Sequence, residues 1–178
     1  MSFRPLSSFV IAVTLCTFTT ASATAASDEV KTVTASTLVN ASPSVVWEAI
    51  RGLRRKDSVH RKLVSYKDNE AVLEEKFLGL PIIGDAVCTY KESEVPFQRI
   101  DYRLIKSDHF KVFEGSWVLT PAENGQKTLV CLSSCSDPGL RVPFWKDLTK
   151  MATSRHIKKR LAEMKEDAES PPNISQSP

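Results

Sequence analysis

The chain has 178 residues, a formal net charge of +3 and 42% hydrophobic residues, with acids and bases interspersed along it. That balance lacks the concentrated basic patch that nucleic-acid binding needs. The length suits one domain with a sizeable core.

The first segment sets the compartment. Arg4 precedes a short apolar run over residues 9–18 (FVIAVTLCTF), and small residues follow. This pattern is a secretory signal peptide over residues 1–25, with cleavage after Ala23 or Ala25. The run is shorter than the roughly 18 apolar residues that a membrane-spanning helix requires. Export is therefore expected, to the periplasm first, with secretion as the alternative. Processing leaves Cys88, Cys131 and Cys135, an odd number for an oxidising compartment. On one straight strand Cys131 and Cys135 would share a face about 13 Å apart, beyond disulfide reach. With no CxxC pair and no Cys/His cluster at ligand spacing, neither a metal nor a cofactor is implied.

Residues 31–40 (KTVTASTLVN) alternate β-branched and small residues and predict a first strand. Ser42 and Pro43 then open a helix carrying Val46, Trp47 and Ile50 at helical spacing, with Gly52 as its stop. A further half-helix over 52–57 would make a V-shaped pair. Six strands follow, near 59–67, 70–79, 82–94, 98–107, 110–120 and 127–136, joined by hairpin-length connections such as Asp68-Asn69. Phe113, Gly115, Trp117 and Leu119 alternate with polar residues, so one face of that strand is dry. The last element runs from Pro143 to about Glu169 as the longest helix. Phe144, Leu148, Met151 and Ala152 fall on one side of it, and Ile157, Leu161 and Met164 nearly opposite, which predicts a kink near Thr153-Ser154. The proline-rich tail 170–178 is expected to be disordered. The basic runs Arg54-Arg55-Lys56 and 156–160 (HIKKR) are read as solvated helix faces, with transient contact to an anionic membrane as the functional alternative.

One strand, short helices, six antiparallel strands and a long C-terminal helix make an α+β helix-grip arrangement over residues 28–169, a curved seven-stranded antiparallel sheet around the last helix. Specific text points the same way. Phe113-Glu114-Gly115-Ser116-Trp117, the turn Asp137-Pro138-Gly139, the helix start Pro143-Phe144-Trp145 and the opening Ser42-Pro43-Ser44-Val45-Val46-Trp47 together resemble START-like and polyketide cyclase/dehydrase-like proteins. The turn departs from that pattern at Leu140, where a second glycine is common.

The resemblance implies a cavity between sheet and helix that holds a lipid or other hydrophobic small molecule. Candidate lining residues are Tyr90, Tyr102, Phe113, Trp117 and Leu119 from strands, with Phe144, Leu148, Met151 and Ala152 from the helix. Plain core packing is the competing role for each. Two functions follow: an exported carrier or sensor of a hydrophobe, or a cyclase/dehydratase-like enzyme using the same space. The second requires an inward acid or base. His60, His109 and His156 all sit in polar text, Asp85 and Glu114 fall on the wet side of their strands, and no nucleophile elbow occurs, so the carrier is the leading expectation.

Overall fold

The computed structural model describes residues 32–140 and 143–170; the expected signal segment and the tail beyond Ser170 lie outside the described residues. The elements are β1 (Val33–Val39), α1 (Pro43–Lys56), β2 (Arg61–Lys67), β3 (Glu70–Leu80), β4 (Gly84–Val95), β5 (Arg99–Ser107), β6 (Val112–Ala122), β7 (Lys127–Asp137) and α2 (Trp145–Glu169). All seven strands form one antiparallel sheet in the order β1-β7-β6-β5-β4-β3-β2. The first strand thus closes the sheet beside the last, and a meander fills the rest. Asp68 and Asn69, both at positive φ, make the tight β2–β3 turn whose twist suits a hairpin.

Gly52 does not end the first helix. Leu53 and Arg54 beyond it are both buried, and their packing outweighs the roughly 1 kcal/mol that a mid-helix glycine costs. The expected helix pair is one 14-residue helix. Arg54 also corrects the reading of its basic run as wholly solvated. It is 5% exposed and donates to Glu92 at 2.7 Å and to Glu94, two carboxylates on the inner face of β4.

The helix α2 crosses Thr153 and Ser154 without interruption, so the predicted kink is absent. The mismatch in its apolar pattern is resolved by exposure instead. Thr153, Ile157, Arg160, Leu161, Met164 and Ala168 form the buried stripe, while Met151 stays 61% exposed. The C-terminal half is pinned to β1 and α1: the Asn40 amide donates to Glu169 and Lys165 donates to the Leu38 carbonyl, while Lys56 pairs with Asp167, at 2.7, 2.8 and 2.7 Å. Under it, Val39, Trp47, Leu53, Leu132, Ile157 and Met164 are all but fully buried.

Gly115 has a steric role that explains its place in the motif. A Cβ there would collide with the Ser133 carbonyl oxygen and the Tyr102 ring. Tyr102 is its cross-strand partner, lies over the glycine and donates to that same carbonyl at 3.2 Å. The missing side chain is what lets the ring lie flat.

Candidate ligand site beneath the C-terminal helix

On the concave face beneath α2 the aromatic residues fill much of the space themselves. Phe113 stands at the centre, with ring centroids of Tyr90 and Tyr102 each 5.2 Å away, Phe77 at 5.4 Å and Phe110 at 6.0 Å. What remains is a cavity of about 70 Å³ between Phe77, Ile83, Phe110, Phe113 and Pro138 on one side and Thr149, Ala152, Thr153 and His156 of α2 on the other. That is under half of the roughly 150 Å³ that admits a benzene-sized guest. Ser136 and Thr153 share a hydrogen bond of 2.6 Å across its wall.

A wider groove of about 560 Å³ adjoins this cavity, and both share Phe77, Leu80, Pro81, Ala152 and His156. Its walls are β3 and the β3–β4 turn (Phe77, Leu78, Leu80, Pro81) against α2 (Leu148, Met151, Arg155, Lys159), with Leu53, Arg61, Glu75 and Arg160 at its base. The volume falls within the range of small-molecule sites. A similarly large depression on the outer face of the sheet is the more polar of the two and carries the Arg99–Asp101 and Arg103–Glu114 pairs.

The residues expected to line a ligand space separate into three groups. Phe113 and Ala152 border the cavity, and Leu148, Met151 and Ala152 border the groove. Tyr90, Tyr102, Trp117 and Leu119 are buried on the concave face behind them and narrow the space. Phe144 is 79% exposed, at a left-handed backbone position just before α2, and borders neither.

Charged groups inside the fold were not legible as site residues. Glu75 is 5% exposed, accepts from Arg61 at 2.5 Å and from the Tyr90 hydroxyl at 2.7 Å, and faces the base of the groove. Burial by itself would raise its pKa, but the charge and hydrogen bond of Arg61 outweigh that and hold it near 2. Burial pushes the Tyr90 hydroxyl well up and the Tyr102 hydroxyl to about 12, so both stay protonated.

His156 and Arg160 correct the reading of the second basic run. They sit one helical turn apart on the inward side of α2, while Lys159 remains 70% exposed. The His156 ring packs 5.3 Å from Phe77, and its Nε2 is buried with no protein partner. Desolvation lowers its pKa to about 4 against the pull of Glu75, so the imidazole is neutral at pH 7. Arg160 is 4% exposed, lies 5.3 Å over the Trp117 ring, and its Nε likewise lacks an acceptor. By contrast His60 is half-buried against Asp57 and His109 is exposed. Period-two alternation gave one usable signal: Glu75 is in phase with Ala71, Leu73 and Phe77, all on the inner face. Among the described residues no group of three or more His, Cys, Asp or Glu could hold a metal, and no helix is long and apolar enough to cross a membrane.

Comparison with known proteins adds the family. The profile described as "Polyketide cyclase / dehydrase and lipid transport" matches residues 31–169. The chain belongs to that family. It is a START-like helix-grip domain of the kind that binds hydrophobic small molecules. Among solved structures it is similar to the Zhui aromatase/cyclase of Streptomyces, at 14% identity over 78% of this chain and 93% of that one, with a TM-score of 0.66. A Thermus thermophilus protein shares 18% identity over 78% and 97% of the two chains, with a TM-score of 0.61. A START superfamily protein from Mycobacterium smegmatis shares 16% over 76% and 97%, with a TM-score of 0.58. No curated protein sequence matches the chain.

Proposed function

We propose that the protein is an exported carrier that holds one lipid-like molecule in the groove between β3 and α2, its apolar end reaching the cavity behind Phe77. The observation that supports this most directly is the continuity of an apolar cavity with an open groove of about 560 Å³ at the same helix. The deep space is too filled by Tyr90, Tyr102, Phe113 and Trp117 to hold the whole of a lipid, so most of the ligand lies in the groove. Leu78 and Met151 are each more than half exposed along the groove, with Lys76 and Arg155 beside them, and Ile82 is more than half exposed in the adjoining β3–β4 turn, which suits a brief encounter with a membrane during transfer. Native mass spectrometry of the purified protein is expected to show a co-purifying lipophile, and cell fractionation to recover a chain starting at Thr24 or Ala26 outside the cytoplasm. A species that is empty and takes up no neutral lipophilic dye would end the carrier reading.

His156 favours a second reading, a cyclase- or dehydratase-like enzyme. A neutral imidazole bordering the cavity, with Nε2 unpartnered, is placed to accept a proton from a bound substrate. Turnover of a reactive polyketide-type substrate that falls at least about 100-fold in His156→Gln, with binding retained, would establish it.

A further inference from the structure

The buried charges of the fold cancel in number but not in bonds. Arg54, Arg61 and Arg160 face Glu75, Glu92 and Glu94 in the interior. Arg54 takes both Glu92 and Glu94. Arg61 takes Glu75 with one nitrogen and the Leu53 carbonyl with another, at 2.5 and 2.7 Å, and the second oxygen of Glu75 is engaged by Tyr90. Arg160 is near enough for its charge to act on Glu75, but among the described residues it has no carboxylate within ion-pair distance; its Nε, like that of Arg61, is buried without an acceptor, and unlike Arg61 it has no ion pair to offset this. A guanidinium only donates and keeps its proton, so each unmet bond asks for an acceptor and nothing else. Placing such a group in a low-dielectric interior is costly, and a residue kept there at a cost to stability points to use in binding.

We infer that the ligand supplies this acceptor: the molecule taken up is an amphipathic acid, with an anionic oxygen head group held by Arg160 and an apolar body lying toward Phe77 and Leu80. The inference rests on the hydrophobe-binding reading and names the chemical class bound. Arg160 lines the groove, and its guanidinium carbon lies 5.3 Å over the Trp117 ring. His156, one turn earlier, can present an Nε2–H to a second oxygen in its neutral form. Toward solvent the groove is bordered by Lys56, Lys76, Arg155 and Lys159, of which Lys56 is paired with Asp167, Lys76 with Asp85 and Lys159 with Glu163, so the rim is close to neutral and the acceptor is called for at Arg160 itself.

The test uses the mature full-length protein loaded with the neutral dye N-phenyl-1-naphthylamine and displaced in turn by dodecanoic acid, its methyl ester and dodecanol. The acid is expected to displace the dye at a concentration at least about tenfold below that of the ester, a difference within the reach of one charge-assisted pair. Arg160→Gln should collapse that ratio to near one, and Arg160→Lys, which keeps the charge but loses the fork, should retain part of it. Equal displacement by acid and ester in the natural protein, or a ratio that survives Arg160→Gln, would overturn the inference while hydrophobe binding stands. If dye and all three displacers fail to bind, the carrier reading fails with it. A purely structural arginine would show itself differently: Arg160→Gln would then melt more than about 5 °C below the natural protein with the ratio intact. Should the Gln variant not fold, the ratio in the natural protein and in Arg160→Lys decides the matter.

Discussion

The two halves of α2 meet the same sheet on opposite terms. From Ile157 to Ala168 the helix presents Ile157, Leu161 and Met164 to a dry core and is tied to β1 and α1 by three polar anchors. From Trp145 to His156 it presents Thr149, Thr153 and His156 to the sheet and leaves Met151 in the open. A helix with one apolar stripe would pack equally along its length; here the inward side turns polar toward the N-terminus. The sealed half supplies stability on its core side, although its Lys159, Arg160 and Glu163 still border the groove, and the open half leaves Leu148 and Met151 along the groove where a guest can cover them.

Experiments that treat the two halves separately can break this division. The largest effect is expected at their boundary. Glu75→Gln leaves Arg61 buried without its anion and should lower unfolding free energy by about 3–5 kcal/mol, measured in urea; a loss below about 1 kcal/mol would mean that the pair is not needed. In the sealed half, Met164→Ala should cost about 2–5 kcal/mol while leaving lipophile affinity unchanged, and a matching loss of affinity would show that the halves are coupled.

The pH dependence of stability is carried by His156 in the open half and by Glu75 on β3. The folded-state pKa of His156, about 4, lies below its unfolded value of 6.5. As pH falls between those values the unfolded chain gains a proton that the native one refuses, so stability falls, by up to about 3 kcal/mol. Below pH 4.5 a second loss begins, because Glu75 is held near 2 when folded and its stabilisation disappears as the pH drops toward that value. His156→Gln should flatten the first window and leave the second in place; an unchanged profile would remove His156 from the account. The smallest stability effect is expected at Met151→Ser, within about 0.5 kcal/mol, since the side chain is 61% exposed. Its lipophile uptake should nonetheless weaken several-fold, and unaltered uptake would place the ligand elsewhere than the groove.

Strand periodicity revealed most of the fold. Phe113, Trp117 and Leu119 are buried on one side of β6, and the Asp68-Asn69 turn lies where its residue types put it. The burial of Arg54, His156 and Arg160 is hidden in the sequence for a common reason. Each stands in a run of basic residues, and such a run looks solvated unless the partner surface of the helix is known. Their burial follows from how α1 and α2 rotate against the sheet, with Glu92 and Glu94 waiting on β4 for one and Trp117 on β6 for another.

The amino-acid sequence by itself determined the order of elements, the dry face of the strands and the family motifs, because those depend on local spacing and on residues that tolerate a particular turn or close approach. Whether the space under α2 is open, where its polar base lies, and which cation lacks a carboxylate were decided only in three dimensions. These depend on the rotation of a long helix whose stripe changes side and on carboxylates contributed by distant strands, and no spacing within one segment encodes them.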